Sequence, residues 1–282
     1  MMKELEQHHF LDYKNQKIIY GQHVDVLPVD LEEIVNIVKQ TRVLIDNREK
    51  AAAITTKGVA DYATQVDESV QAYLSQTLAA KYPEIEFLGE EHYEAKEHND
   101  YYWIVDPVDG TTNLIHDYRM SAVSVALAYR DQVLCGILYL PYCNEIYTAV
   151  RGHGAFCNGK QIHVSDVTTM DRSLISIGTS PYYKEMAHQN FSLFEKIFCA
   201  CEDIRRSGSA VIDFVNIAAG RSECFFERNL KIWDYAASWV LIEEAGGSLL
   251  DYEGNPLTLN SQNDIIAGNG IVNRIIVDMI SS

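Results

Sequence analysis

The sequence predicts an α/β protein, with an α+β amino-terminal half and an α/β carboxyl-terminal half. In the second half, short apolar runs typical of strands alternate with longer runs at helical spacing, which is the pattern of α/β folds. In the first half, consecutive apolar runs are separated by short polar turns, which indicates antiparallel hairpins. A chain of 282 residues is long enough for two domains or one large one.

The chain divides into an amino-terminal extension (1–28) and two halves (29–155 and 156–282). The extension shows no clear helical or strand period. No segment near residue 155 has the composition of a flexible linker. We therefore expect the halves to pack closely, with a cleft between them as the natural ligand site.

Helices and strands of the first half follow from local signals. A helix should begin at Leu31, with Asp30 as its N-cap and Glu33 completing a capping box. A second helix should cover 67–81 and end before Pro83. Strands are predicted at the following segments, the third and fourth of them joined as a hairpin: 86–89, 101–105, 121–129, 132–140 and 144–150.

In the second half, four short apolar runs alternate with four helical ones. The predicted strands are 174–178, 223–226, 248–250 and 264–267. The predicted helices are 191–201, 209–219, 235–245 and 271–280.

Composition excludes several classes of protein. The chain is 47% hydrophobic and 22% charged, which is typical of a globular protein rather than a disordered one. Its net charge of −17 argues against nucleic acid as a partner, because phosphate backbones are bound by clustered Lys and Arg. A protein this acidic can still bind a phosphate ester if metal ions lie between the two negative groups.

Compartment is indicated by what the sequence lacks. The amino terminus carries no apolar segment typical of a secretory signal, and no run of apolar residues is long enough to span a bilayer. The six cysteines include no C-x-x-C pair, which favours reduced thiols over a disulfide framework. We expect a cytoplasmic protein without a membrane partner.

The most informative segment places two carboxylates three residues apart at the end of an apolar strand. Asp106 and Asp109 flank Pro107, which should end the strand, and Gly110 permits a sharp turn. Two carboxylates held close together repel unless a cation lies between them, and oxygen ligands suit Mg²⁺. As a bare motif, D-x-x-D-G is also typical of an ordinary Asx-type turn.

Three further acids stand where elements begin or end. Glu90 follows the strand 86–89, whereas Asp67 and Asp234 stand at the starts of predicted helices. Each also has an ordinary role, as a solvated acid or as a helix cap favoured by the dipole. Spacing alone does not bring them together, so the residues leave a multi-carboxylate metal site as one possibility.

A P-loop-like segment is better explained as a hairpin. Residues 154–160 fit G-x-x-x-x-G-K, but Gln161 stands where a P-loop has the Ser or Thr that binds Mg²⁺. Asn158-Gly159 is typical of a two-residue hairpin turn. We therefore predict no nucleotide triphosphate site there.

Taken together, the motifs resemble those of the inositol monophosphatase family, a group of Mg²⁺-dependent phosphatases. The resemblance covers about residues 30–282, and its most specific parts are D-P-x-D-G-T-T-N at 106–113 and W-D-x-A-A at 233–237. The supporting matches are Lys57-Gly58, D-x-x-T-x-x-D at 61–67, G-E-E at 89–91, R-G-x-G-A-F-x-N-G at 151–159, R-x-G-S-A at 206–210 and E-A-G-G at 244–247.

The resemblance implies a layered αβαβα sandwich of the sugar phosphatase type, usually a homodimer. It makes 29–155 the metal-binding half and 156–282 the substrate-binding half. Two or three Mg²⁺ ions would be held by Glu90, Asp106, Asp109, Asp234, the carbonyl of Val108 and, more distantly, Asp67. Asp67, Thr111 and Glu90 would be catalytic, with Thr111 and Asp67 orienting the attacking water. Substrate would contact Gly110, Thr111, Thr112, Gly208, Ser209, Ala210 and Glu227.

The resemblance also implies a lithium-sensitive phosphate monoesterase that acts on inositol monophosphate or a related sugar or polyol phosphate. Within the family, the alternatives are NADP(H) phosphatase, fructose-1,6-bisphosphatase and 3'-phosphoadenosine 5'-phosphate phosphatase. Arg228-Asn229 is unfamiliar for the family and leaves the identity of the leaving group open. A non-catalytic metal- or ligand-binding regulator on the same fold is the alternative from another class.

Overall fold

The computed structural model describes residues 17–20, 23–91, 93 and 100–281. Its helices are α1 (Leu31–Gln40), α2 (Arg42–Ile45), α3 (Arg48–Ala51), α4 (Gln65–Lys81), α5 (Thr111–Ile115), α6 (Ala187–Phe198), α7 (Ala210–Ala218), α8 (Ile232–Glu244) and α9 (Val272–Ser281). The first strands are β1 (Lys17–Tyr20), β2 (His23–Val26), β3 (Ile54–Gly58), β4 (Asp61–Thr64), β5 (Glu86–Gly89), β6 (Tyr101–Asp109), β7 (Ala122–Tyr129), β8 (Gln132–Leu140) and β9 (Glu145–Val150). The remaining strands are β10 (Ala155–Cys157), β11 (Lys160–Ile162), β12 (Leu174–Ile177), β13 (Asp203–Arg205), β14 (Cys224–Lys231), β15 (Ser248–Leu250) and β16 (Gln262–Gly268).

Two large sheets organise the molecule. The first has seven strands in the order β11-β10-β9-β8-β7-β6-β5, and the second has five in the order β13-β12-β14-β16-β15. The smaller pairs are β1-β2 and β3-β4. The β1-β2 pair lies in the 1–28 extension, where the sequence showed no strand period because strands of four residues are too short to establish one.

Three apolar clusters show how the layers stack. One cluster joins α1 and α4 to one face of the first sheet. The largest joins the other face of that sheet to α7 and α8, and these helices to the second sheet. The third joins the far face of the second sheet to α6 and α9. The order is therefore helix, sheet, helix, sheet, helix, which confirms the predicted αβαβα sandwich. Among the described residues, no helix is both long and apolar enough to cross a bilayer.

Helix α1 begins as predicted but without the predicted capping box. The Asp30 carboxylate accepts the N–H groups of Glu32 and Glu33 at 3.2 and 3.3 Å, so Asp30 is the N-cap. Glu33 does not return the bond; its carboxylate accepts from the Tyr82 hydroxyl at 2.8 Å and pairs with Lys81. Tyr82 also accepts the N–H of Asp30 at 3.1 Å, so this hydroxyl replaces the glutamate of a capping box.

The first sheet extends past residue 155 to the hairpin β10-β11, which ends at Ile162. Asn158 and Gly159 form its turn with φ values of 49° and 76°, the left-handed conformation of a two-residue hairpin. The predicted hairpin is confirmed. Since a strand follows Gly159 where a P-loop would open a helix, the G-x-x-x-x-G-K match has no phosphate-binding geometry.

A half-buried carboxylate joins this edge of the sheet to the middle layer. Glu244, at the end of α8, accepts the N–H groups of Gly152 and Gly154, both at 2.7 Å. Both glycines have positive φ, which turns their N–H groups toward one point. The R-G-x-G and E-A-G-G motifs thus meet in one contact.

Replacing Glu244 by Gln should lower the free energy of unfolding by about 1–3 kcal/mol, because one charged acceptor becomes an amide that faces a backbone donor. Urea unfolding measures this change. Glu195→Gln, an exposed position on α6, is the control and should leave the midpoint unchanged. A Glu244→Gln midpoint equal to that of the control would contradict the structural role.

Candidate metal and phosphate site

A bulge in β6 brings two carboxylates to one face of the sheet. Asp106 pairs with Ser124 and Asp109 pairs with Ala122, so three steps along β6 span only two along β7. In a regular strand, residues three apart point to opposite faces. The extra residue reverses this alternation, and both carboxylates face the middle layer. The expectation that Pro107 ends the strand is wrong, because Pro is tolerated within a bulge.

Helix α8 brings a third carboxylate to the pair. Asp234 occupies the first turn of α8, and its carboxylate accepts the N–H of Lys231 at 2.7 Å. The helix lies close against β8, where a Cβ on Gly136 would stand 2.4 Å from the carbonyl oxygen of Ala237. One oxygen from each of Asp106, Asp109 and Asp234 lies within 4.8 Å of the others, which is a spacing that a single cation can bridge.

Asp109 also joins the first sheet to α7. Its carboxylate accepts the N–H groups of Val211 at 2.9 Å and Ala210 at 3.3 Å, and the Ser209 hydroxyl donates to the same group. The Ser209 hydroxyl also caps α7 by accepting the N–H of Ile212 at 3.2 Å. Ser209 and Ala210 therefore contact a carboxylate of the cluster on one side and begin α7 on the other.

A threonine and an aspartate form the second part of the site. The carboxylate of Asp67 accepts the Thr64 N–H at 2.8 Å and completes a capping box at the start of α4. Its other oxygen accepts from the Thr111 hydroxyl at 2.9 Å, and the Val108 carbonyl lies 3.1 Å from the same hydroxyl. Thr111 thus stands between Asp67 and the backbone of the bulge.

Gly110 makes the turn into α5, which Thr111 and Thr112 begin. Its φ is +85°, and a Cβ there would lie 2.9 Å from the carbonyl oxygen of Met120. Only glycine fits this position without strain. The first N–H groups of a helix have no partner four residues back, so this turn offers donors to an anion.

Glu90 follows β5, where sequence analysis placed it. The Lys57 ammonium lies 3.5 Å from the Glu90 carboxylate and 2.7 Å from that of Glu91. Glu91 is held in turn by Gln71, which accepts its N–H at 2.9 Å. Lys57 was not assigned a site role from the sequence. The matching Lys57-Gly58 pair was the available signal, but only the folded β3-β4 hairpin shows which acids it meets.

Burial and mutual repulsion raise the pKa values of the acids. Burial, with the charges of neighbouring acids, raises the pKa values of Asp106 and Asp234 well above the usual range. Burial raises the pKa of Glu90 to about 7, although Lys57 opposes the shift. Burial raises the pKa of Asp109 to about 6 despite its three donors. Burial also raises the pKa of Asp67, against hydrogen bonds from Thr64 and Thr111. Without a cation, the cluster favours protons.

Stability without divalent cations should therefore fall as pH rises. Acids with raised folded-state pKa values stabilise the fold fully below their unfolded value of about 4. That contribution is lost as pH rises through about 6 for Asp109 and about 7 for Glu90. Urea midpoints in EDTA at pH 5, 6.5 and 8 measure the decline, and Glu90→Gln should show a shallower one. Equal slopes for the two proteins would contradict the shift assigned to Glu90.

The other side of the cleft comes from the second sheet. Glu227, on β14, accepts the N–H of Ser180 at 2.7 Å, and burial raises the pKa of its carboxyl to about 7. Gly208 has a φ of +84°, and a Cβ there would lie 3.0 Å from the side-chain oxygen of Asn113. Asn113 donates to the carbonyls of Met120 and Ser207 and so fixes the turn before α7 beside α5.

The structure brings several of the residues named from the sequence together: Asp106 with Asp109 and Asp234, Asp67 with Thr111, and Asp109 with Ser209 and Ala210. The unfamiliar Arg228-Asn229 pair follows Glu227 on β14. Arg228 pairs with Asp264 at 2.8 Å and stacks over Tyr252, and Asn229 donates its N–H to Asp264 at 2.9 Å. These residues therefore brace β14 against β16.

Comparisons with known proteins point to a single family. The model of the inositol monophosphatase family matches residues 29–280. The Nus factor SuhB of Salmonella typhimurium is 35% identical over 237 residues, covering 82% of this chain and 87% of the relative. The inositol monophosphatase of Dictyostelium discoideum is 33% identical over 253 residues, covering 87% and 93%.

Among solved structures, an IMPase/NADP phosphatase complexed with Mg²⁺ and phosphate superposes with a TM-score of 0.78 at 25% identity. That comparison covers 88% of this chain and 93% of the other. The family match and the relatives above 30% identity span most of the sequence. The chain belongs to the inositol monophosphatase family.

Proposed function

We propose that the protein is a Mg²⁺-dependent phosphate monoester hydrolase that acts on inositol monophosphate or a related small polyol phosphate. The observation that carries this proposal is the arrangement of Asp106, Asp109 and Asp234 around one point, beside a hydrogen-bonded Thr111–Asp67 pair. If this cluster of acids holds Mg²⁺, the ions explain how a protein of net charge −17 can bind a phosphate ester. Family membership and the relatives named inositol monophosphatase support the same activity.

The donor set fits Mg²⁺, because every side chain offered is an oxygen ligand and the cluster is too acidic to be stable with all charges bare. The residues that would hold two or three ions are Glu90, Asp106, Asp109, Asp234, the Val108 carbonyl and Asp67. Bound there, Mg²⁺ polarises phosphoryl oxygens and lowers the pKa of water. The solved relative that contains Mg²⁺ and phosphate supports this assignment.

Protein groups orient the reactants around that site. The Thr111 hydroxyl, fixed by Asp67 at 2.9 Å, is placed to hold a water for in-line attack on phosphorus. Backbone N–H groups at Gly110, Thr111 and Thr112 would bind the phosphoryl oxygens. Glu90 completes the catalytic set as an acid beside Asp106, and Lys57 holds its carboxylate in place.

The leaving group would face Gly208, Ser209, Ala210 and Glu227. A polyol suits this side, because Glu227 is an acceptor for hydroxyl groups. NADP(H), fructose 1,6-bisphosphate and 3'-phosphoadenosine 5'-phosphate are the alternative substrates. The solved structure described as an IMPase/NADP phosphatase supports NADP(H) as one of these alternatives.

Phosphate release from a panel of these four classes of ester, with Mg²⁺ and with EDTA, tests the proposal. We expect Mg²⁺-dependent release, with the largest kcat/KM for the inositol ester. Release that is equal in EDTA would refute the metal assignment. A larger kcat/KM for NADP(H), the bisphosphate or the adenosine phosphate would refute the inositol assignment.

A non-catalytic regulator is the second candidate, because the relatives named Nus factor SuhB carry a name that describes no hydrolysis. Retention of all five acids and of Thr111 favours an enzyme. Release of phosphate from none of the panel, together with a Mg²⁺-induced rise in melting temperature, would favour the regulator.

We further propose a homodimer, a cytoplasmic location, and a division into a metal-binding half (29–155) and a substrate-binding half (156–282). Light scattering of the purified chain measures the first of these, and a mass of about 32 kDa would exclude the dimer. The division is supported by the acids on β6, which come from the first sheet, and by Glu227, which comes from the second. Asp234 and the hairpin β10-β11 are exceptions, because Asp234 would bind metal from the second half and the hairpin extends the first sheet beyond residue 155.

Lithium should inhibit the phosphatase. The cluster offers hard oxygen ligands, and Li⁺ is small and hard like Mg²⁺ but neutralises less charge, so it stabilises the transition state less. Phosphate release in LiCl, with NaCl at equal ionic strength as the control, measures the effect. Superimposable curves for the two salts would contradict lithium sensitivity while leaving the phosphatase proposal intact.

A further inference from the structure

A tight turn crosses the leaving-group side of the site. It lies between β12 and α6, where the Tyr183 N–H donates to the Ser180 carbonyl at 2.9 Å. Ser180 has a positive φ of 46°, so the turn has a defined shape rather than an extended course. Tyr182 stands at its tip.

Polar contacts hold this turn against the cleft. Ser180 donates its N–H to Glu227 at 2.7 Å and its hydroxyl to the Arg228 carbonyl at 3.0 Å. Arg206 donates to the Thr179 hydroxyl at 3.2 Å. A Cβ on Gly178 would lie 2.1 Å from the carboxyl carbon of Glu227, so glycine lets that side chain lie flat against the backbone. The turn is therefore fixed to two elements that border the site.

Tyr182 is an exposed aromatic residue beside the leaving-group side of the site. It is 52% exposed and stands two residues beyond Ser180, whose N–H donates to Glu227. Loss of hydration, followed by the charges of Asp234, Glu90, Asp61 and Asp109, raises the pKa of its hydroxyl, which agrees with a position near the proposed metal cluster.

We propose that Tyr182 contacts the leaving group of the ester and favours a ring-shaped polyol over an open-chain one. This specificity rests on the proposed phosphatase function. The physical reason is that the C–H face of a cyclic polyol is flat and apolar and can cover the open face of an aromatic ring. A short open-chain polyol buries less area on the same ring. Besides accepting hydroxyl groups of the substrate, Glu227 positions this contact, because it holds the turn that carries Tyr182.

The test compares Tyr182→Ala and Tyr182→Phe with Tyr183→Ala, the neighbouring tyrosine of the same turn, as the matched control. The substrates are myo-inositol 1-phosphate and glycerol 2-phosphate. Tyr182→Ala should raise KM for the inositol ester about tenfold and leave kcat and the glycerol ester nearly unchanged. Tyr182→Phe and Tyr183→Ala should behave like the wild type. An equal rise in KM for both esters, or a loss in Tyr182→Phe as large as in Tyr182→Ala, would overturn the proposal.

Calorimetric binding with Mg²⁺ separates this proposal from the proposed function. Tyr182→Ala should weaken binding of myo-inositol 1-phosphate and leave binding of inorganic phosphate unchanged, since phosphate has no leaving group. A wild-type chain that hydrolyses neither ester would refute the phosphatase function. The binding titrations would still show whether Tyr182 contacts the leaving group. Unchanged binding of the inositol ester would overturn the proposal even in an active enzyme.

A double-mutant cycle tests the positioning role of Glu227. If Glu227 acts by holding the turn, the effects of Glu227→Ala and Tyr182→Ala should overlap. The double variant should then lose less affinity for the inositol ester than the product of the losses in the two single variants. Multiplication of the two effects in the double variant would overturn the positioning role.

Discussion

Asp106→Asn should lower kcat by about 10³-fold or more, because a ligand that holds Mg²⁺ contributes several kcal/mol to transition-state stabilisation. The fold should not suffer. The remaining oxygen of Asn can still accept the Val108 N–H, which lies 2.9 Å from the carboxylate in the parent. One source of repulsion within the cluster also disappears, so the melting temperature in EDTA should equal or exceed that of the wild type.

Phosphate release and melting curves with and without Mg²⁺ measure both effects. The rise in melting temperature on adding Mg²⁺ should shrink in Asp106→Asn and persist in Asp171→Asn, an exposed aspartate that serves as the control. Turnover near the wild-type value in Asp106→Asn would overturn the assignment of Asp106 as a ligand.

Thr111→Val should lower kcat by about 10²-fold with little change in KM, since the variant keeps the shape of the side chain and loses the hydroxyl that orients water. Asp67 would lose a donor at 2.9 Å, which costs about 1–3 kcal/mol of stability. The Mg²⁺-induced rise in melting temperature should survive, in contrast with Asp106→Asn.

Thr168→Val, at an exposed position, controls for the substitution itself. A loss of the Mg²⁺ response in Thr111→Val would place Thr111 in the metal shell and remove its separate role toward water. A kcat equal to that of the control would exclude both roles.

Much of the fold was predictable because its signals are local. The N-cap Asp30, the turn Asn158-Gly159 and the apolar runs of β7 and β8 each depend on neighbours in sequence. The predictions failed where a residue distant in the sequence makes the contact. Tyr82 replaces Glu33 at the start of α1, and it lies 49 residues away along the chain.

The same division applies to the site. Residue types and the short motifs identified the acids, and the resemblance gave their proposed roles. The sequence did not show that Asp109 would bind the start of α7, because that contact joins residues about 100 positions apart. Nor did it show that the turn of Tyr182 would lie against Glu227, because that contact joins residues 47 positions apart. Contacts of this kind are set by packing and leave no periodic signal in the chain.

The bulge in β6 makes chain length, as well as residue identity, a determinant of the site. With one residue fewer between Asp106 and Asp109, a regular strand would still place both carboxylates on the same face, as D-x-D. With one residue more and the bulge unchanged, the second carboxylate would move out of phase with the first. A designer who transplants this centre must therefore copy the irregular backbone or shorten the motif. The three-residue spacing, transferred alone to a straight strand, would send Asp109 into the outer helical layer.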